Sequence, residues 1–279
     1  MTKQLIIRFI DSAIEAGTVL PWFLFDQQQQ LIDDGHHALN EIYSQLSQEN
    51  QDSLEVHIIV PNDAVLLAQV NIPSQNARQI KQALPYAIEE LIAEDIENVH
   101  MALPNYLNVT NHMTDVAVVS HRYLISWLDL LHHHGLSPDS MAIDTLCVPI
   151  EEGGSVLVDD DERLLVRYSQ TYGFSCDTAV FPYLYPQGLT ESANEDELPL
   201  LEVLHCSCDE TAQNFEYPGA IESHYKESGS EILAVTLANP QNKTINLLQG
   251  GYKQVDSSIS VTQVWFKPLA AAAVCLFLF

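Results

Sequence analysis

Strand-forming runs and helix-spaced apolar positions alternate through the first half of the chain. Leu5, Ile6, Ile7 and Phe9 sit in one short run of strand formers, residues 19–25 form a second beyond a turn at Ala16-Gly17, and residues 30–32 form a third. Asp33-Asp34-Gly35 reads as a turn, after which Ala38, Leu39, Ile42, Tyr43 and Leu46 recur at helical spacing. Residues 55–60 read as a buried strand ended by Pro61, and the apolar stretch 65–72 leads to Pro73 and Ser74, a good helix N-cap. Ile80, Leu84, Ile88, Leu91 and Ile92 then share one helical face. Pro85 lies inside that pattern and removes a backbone donor, so a kink or break is expected there. At about 100° per residue, Glu90, Glu94 and Glu97 fall within roughly 60° of one another on the far side, as an acidic ridge. A solvated helix face is the plainer reading of the same pattern.

A second unit begins with residues 115–120, where Ser120 can cap a helix whose Leu124, Trp127, Leu128 and Leu131 share a face and whose end falls at Gly135. Residues 140–145 read as the next strand, and Pro149 with Gly153-Gly154 marks a boundary. Beyond it, residues 155–158, 162–168 and 171–176 read as three strands joined by tight turns, followed by a short helix at 179–184 and a strand at 201–205. Residues 187–199 carry acids and few apolar side chains and read as a mobile loop, and 230–238 as a late helix. The order of three strands, helix and strand thus occurs twice. That order predicts mixed α/β sheets in two ribonuclease-H-like units, arranged as an actin-like bilobal domain. The expected organisation is a first lobe at 1–148, with an inserted subdomain at about 97–146, and a second lobe at 149–240. A juxtamembrane linker at 241–264 and the start of a transmembrane helix at 265–279 complete it.

The C-terminal stretch changes the picture most. Trp265, Phe266 and Lys267 precede Pro268, and the rest of the chain, with Leu269, Val274, Leu276, Phe277, Leu278 and Phe279, carries no charge. A membrane span needs roughly 20 apolar residues, so this run reads as the first part of a truncated one; a buried core helix is the alternative. The aromatic pair suits the headgroup boundary and Lys267 the cytoplasmic side, which would leave residues 1–264 cytoplasmic. The N-terminus lacks a signal-peptide pattern. With 11 Lys+Arg against 38 Asp+Glu among 279 residues, the net charge of −27 argues against nucleic-acid binding and for basic partners. The five cysteines are scattered and fit reduced thiols rather than a disulfide framework.

An actin-like fold raises the question of ATP hydrolysis, which needs Gly-rich hairpins whose amides reach phosphate. The first hairpin reads Asp11-Ser-Ala-Ile-Glu15-Ala-Gly17 and the second Val158-Asp-Asp-Asp-Glu-Arg163, and neither has that chemistry. No Walker sequence or Gly-x-Ser-x-Gly elbow occurs. His132-His-His134 cannot all reach one ion from a helix and suit a helix C-terminus instead. The pair His36-His37, the Cys206-Ser-Cys208 pair and the acidic turn at 159–161 also fall short of a metal site. No cofactor, metal or catalytic residue is expected.

The segments Leu66-Leu-Ala-Gln-Val-Asn-Ile-Pro73, Ala77-Arg-Gln-Ile-Lys-Gln-Ala-Leu-Pro-Tyr-Ala-Ile-Glu-Glu90 and Ala93-Glu-Asp-Ile-Glu-Asn-Val-His100 follow one another in the first half. Ala117-Val-Val-Ser-His-Arg-Tyr-Leu-Ile-Ser-Trp127, Gly135-Leu-Ser-Pro-Asp139, Asp144-Thr-Leu-Cys-Val-Pro149 and Ile245-Asn-Leu-Leu-Gln-Gly250 with Tyr252 continue the series. In this combination and order, the chain resembles the general secretion pathway protein L family of the bacterial type II secretion system over nearly its whole length. The resemblance implies a non-catalytic, single-pass inner-membrane protein with an actin-like cytoplasmic domain and a periplasmic part absent from this sequence. It implies as partners the secretion ATPase, protein E, the inner-membrane proteins M and F, and a second copy in a homodimer. The acidic residues Glu89, Glu90, Glu94 and Glu97 are then the candidate partner-binding face. The alternative is an actin-like ATP-binding protein related to pilus assembly protein M, which has no span of its own.

Overall fold

The computed structural model describes residues 2–46, 54–74, 76–105, 113–150, 155–159, 163–181, 183–184, 201–206, 220–225, 227–242 and 244–253. Two compact units divide the chain, Met1–Leu247 and Leu248–Phe279, and the second is described only around the 3-10 turn Gly250–Tyr252. The C-terminal run read as a membrane span, the loop at 187–199 and the Gly153-Gly154 boundary lie outside the described residues. No described helix is long and apolar enough to cross a membrane.

Strands β1 (Lys3–Arg8), β2 (Leu20–Phe25) and β3 (Leu31–His37) form an antiparallel meander, and α1 (Leu39–Leu46) leads to β4 (Leu54–Val60), which pairs parallel to β1. Next come β5 (Val65–Asn71), α2 (Ala77–Ile88), β6 (Val99–Ala102) and β7 (Met113–Ser120), which build a separate three-stranded antiparallel sheet with a helix on it. The chain then returns through α3 (His121–His133) to β8 (Ser140–Ile143), parallel to β4. The first sheet has the order β3-β2-β1-β4-β8.

The second half repeats it. Strands β9 (Ser155–Asp159), β10 (Arg163–Arg167), β11 (Gly173–Asp177), β12 (Leu201–Cys206) and β13 (Ala220–Tyr225) form a sheet ordered β11-β10-β9-β12-β13. The pairing senses match those of the first sheet: an antiparallel meander, then two parallel additions. The same strand order and pairing senses therefore occur twice.

Helix α4 (Gly229–Ala238) explains why the sheets stay together. Ile232, Leu233, Ala234 and Ala238 share a core with Ile6, Phe23 and Ile59 of the first sheet and with Leu157, Leu165 and Leu204 of the second. A helix apolar on nearly every side belongs between two layers. Val156, Leu164, Val166 and Val203 point to the opposite face, against Phe181, as the period-2 alternation of strands requires.

Five sequence expectations need correction. Asp33-Asp34-Gly35 is strand, not turn, because the turn is built earlier: Asp26 Oδ1 accepts from the N–H groups of Gln28 and Gln30, and Gln29 takes φ 62°. Gly35 instead makes room for Trp22, whose Nε1 donates to His37 Nδ1 at 2.9 Å. The cap of α2 is Asn76 rather than Ser74, with Asn76 Oδ1 accepting from Arg78 N and Gln79 N. Pro85 does not divide α2, which runs on to Ile88 with Ile80, Leu84 and Ile88 held in the core of the small sheet. The helix stops there, so Leu91, Ile92, Glu90, Glu94 and Glu97 do not extend its faces. Finally, β6 and β13 are strands beyond those the sequence pattern predicts; β6 is four residues long and is defined by its pairing with β7.

Both expected ends of α3 hold. Ser120 Oγ caps α3 by accepting from Arg122 N. Gly135, at φ 75°, closes the helix, with Gly135 N donating to His132 O and Leu136 N to Leu131 O.

Close packing at the β10–β11 hairpin gives a first prediction. A Cβ on Gly173 would meet the backbone O of Val166 and, at 2.6 Å, the buried Thr145 Cγ2. Gly173→Ala is therefore expected to lower stability by about 1–3 kcal/mol. Urea unfolding reads this directly, and an unchanged midpoint would show that the hairpin shifts freely.

Candidate interaction surface

The joint between the two large sheets is polar as well as apolar. At the end of β8, the fully buried carboxylate of Asp144 accepts from Arg163 Nη2 at 3.0 Å, and from the N–H groups of Asn62 and Thr145 at 2.9 and 2.7 Å. Arg163 belongs to β10 and also reaches Asp63 Oδ1 at 3.3 Å, which Ser175 Oγ meets at 2.6 Å from β11. The buried Arg167 donates to Val148 O, Ser169 O, Gln170 O and Asn242 Oδ1. Burial lowers its pKa to about 10, so it remains a cation at neutral pH.

The hairpin considered for phosphate binding is tied to the protein itself. Asp11 Oδ1 accepts from Ala13 N and the Ser12 hydroxyl, while Ser12 O accepts from Trp127 Nε1 at 2.9 Å. The second hairpin's residues 160–162 lie outside the described residues. His132 and His133 are exposed at the end of α3, and among the described residues no group of His, Cys, Asp and Glu could hold a metal ion. Cys147 and Cys176 are free thiols pushed by burial to about 12 and about 11, which makes both poor nucleophiles at neutral pH.

The segment 244–247 opens the stretch read as a linker, and it is bound to β8. Leu247 N donates to Met141 O, Asn246 Oδ1 accepts from Met141 N, and His100 of β6 bonds Leu247 O at 2.9 Å. Burial lowers the pKa of His100, and the bond to the Leu247 carbonyl opposes that shift.

Glu89, Glu90, Glu94 and Glu97 are all exposed. Glu89 is the C-cap of α2, Glu90 and Glu94 follow in the irregular segment after it, and Glu97 sits in the 3-10 turn Ile96–Asn98. Beside them runs a groove of about 430 Å³, lined by Leu66, Leu91, Ile92, Val99, Val118 and Glu94 among others. Leu66 and Leu91 are 40% and 53% exposed. The sequence does not mark these two leucines as surface: the unbroken apolar run at 65–68 hides which way Leu66 faces, and helical phasing puts Leu91 on the buried stripe. The anchor residues Trp265, Phe266, Lys267, Leu269, Val274, Leu276, Phe277, Leu278 and Phe279 lie outside the described residues.

Duplicated sheets of one order, joined through a common helix, define a mixed α/β protein whose exposed acidic segment borders an apolar groove. The family profile described as type II secretion system (T2SS), protein L, matches residues 5–254, and the chain belongs to that family. The type II secretion system protein L of Vibrio cholerae is 28% identical over 258 residues, 91% of this chain and 60% of that protein. Its counterpart in Pseudomonas aeruginosa is 36% identical over 127 residues, 46% of this chain and 32% of that protein. The chain thus spans less than two thirds of the length of either relative. Among solved structures, the cytoplasmic domain of EpsL, described as an inner membrane component of the type II secretion system of Vibrio cholerae, superposes with a TM-score of 0.68. That match has 25% identity and covers 90% of this chain and 100% of that domain.

Proposed function

We propose that the chain is a non-catalytic platform component of the type II secretion system, recruiting the secretion ATPase, protein E, to the bacterial inner membrane and coupling it to proteins M and F. The observation that carries this reading is the family match across residues 5–254. In this reading the lobes, divided near residue 148, lie in the cytoplasm as a homodimer. The run from Trp265 to Phe279 begins the single span that anchors them, as membrane residence of the Vibrio relative supports. Glu89, Glu90, Glu94 and Glu97 form the face that meets the ATPase, which suits a chain of net charge −27 seeking a basic partner. The protein L match outweighs the alternative of an ATP-binding relative of pilus assembly protein M.

Titration of the purified chain with the N-terminal region of its cognate ATPase tests this. Binding is expected at low salt, weakening about tenfold or more at high salt, as exposed charge pairs do. Replacing the four glutamates together by lysine is expected to weaken it by a similar factor. Absence of ATPase binding at low salt, or saturable binding of Mg-ATP in its place, would overturn the reading.

A further inference from the structure

The register of the small sheet places Leu66, Ala68 and Val70 of β5 on one face with Val116 and Val118 of β7 and with Val99 and Met101 of β6. Helix α2 lies over this face through Ile80, Leu84 and Ile88. The helix ends at Ile88, but the apolar face does not, and Leu66, Val99 and Val118 floor a groove beyond the helix end whose wall is residues 91–94. Its volume of about 430 Å³ falls within the roughly 300–1,000 Å³ of ligand-binding clefts. A single exposed leucine means little. Two of them, Leu66 and Leu91, facing one valine-floored groove are a coherent apolar surface.

Charge decides the occupant. The residues lining the groove include Asp63 and Glu94 and no Lys, Arg or His. Asp63 already meets Arg163 and Ser175, whereas Glu94 has no ion pair among the described residues. A second copy of the chain would set acid against acid at this rim, with −27 on each partner.

We propose that the groove receives a basic amphipathic segment of the recruited partner, with its apolar side chains seated on Leu66, Leu91 and Val118 and a Lys or Arg on Glu94. This deepens the recruitment reading above and rests on it for the partner's identity. The acids supply steering, and the leucines hold what arrives.

The test is fluorescence anisotropy of a short helical peptide, built from leucine and lysine at amphipathic spacing, titrated with the full chain. Binding is expected to fall about tenfold or more in the Leu66→Ser, Leu91→Ser double variant and in Glu94→Lys, and to vanish when the peptide's leucines become serine. Both leucines are exposed, so an unchanged urea midpoint should accompany the loss. Equal binding of the serine peptide, or an unaffected double variant, would overturn the groove. So would self-association of the wild type that the double variant abolishes, since the occupant would then be a second copy. The ATPase region is titrated in parallel. If it binds wild type and double variant alike, the groove is wrong and recruitment stands. If it fails to bind wild type at all, recruitment is wrong, and the peptide result alone decides the groove.

Discussion

Asp144→Ala is expected to lower the unfolding free energy by about 3–5 kcal/mol, the usual loss when one member of a buried ion pair is removed. The carboxylate is 0% exposed, and it accepts from Arg163 Nη2, Asn62 N and Thr145 N. Truncation strands two backbone donors and leaves the guanidinium, whose side chain is 20% exposed, with Asp63 as its one carboxylate partner among the described residues. Two sheets are affected at once, because Asp144 follows β8 while Arg163 begins β10. Urea unfolding with Asp144→Asn alongside separates the contributions. The amide keeps an acceptor for the two N–H groups, so it should recover part of the loss and leave the charge component behind. A loss below about 1 kcal/mol in Asp144→Ala would mean that the Asp144–Arg163 pair does little to join the sheets.

The second large effect is expected at Arg167, where Arg167→Ala should cost about 3–5 kcal/mol in the same measurement. This cation is 1% exposed, and no carboxylate is bonded to it among the described residues. Four oxygens solvate it instead: Val148 O at 2.6 Å, Ser169 O and Asn242 Oδ1 at 3.0 Å, and Gln170 O at 3.1 Å. Removing the guanidinium leaves those acceptors facing one another across the link from the first sheet, the turn after β10 and the segment after α4. Arg167→Lys should recover only part of the loss, because an ammonium cannot span acceptors that a planar fork meets on several sides. Full recovery with lysine would reduce the residue's role to its charge.

Neither joint is legible in the sequence. Asp144 and Arg163 lie on opposite sides of a boundary that Pro149 and Gly153-Gly154 mark, and nothing in their local sequence names the other as partner. The acidic residues after α2 show a different gap. Their helical phasing followed from an unbroken apolar stripe, but Leu91 N donates to Ile88 O in a turn, and the stripe ends where the sheet beneath is left open. Local chemistry read more reliably: Ser120 and Gly135 mark the ends of α3 because a hydroxyl acceptor and a left-handed glycine satisfy backbone groups within a few residues.

The sequence by itself determined the duplicated order of strands and helices, the caps of α3, the strongly acidic character and the family resemblance, since each is written in residues near one another along the chain. The tertiary structure alone decided that β5, β6 and β7 close into one sheet between β4 and α3, the pairing of β6 with β7 and of β13 with β12, the burial of Arg167 and Asp144, and the groove past Ile88. Those depend on which distant backbone or side chain arrives opposite. A periodicity records which side of an element is apolar, but not where its covering neighbour ends.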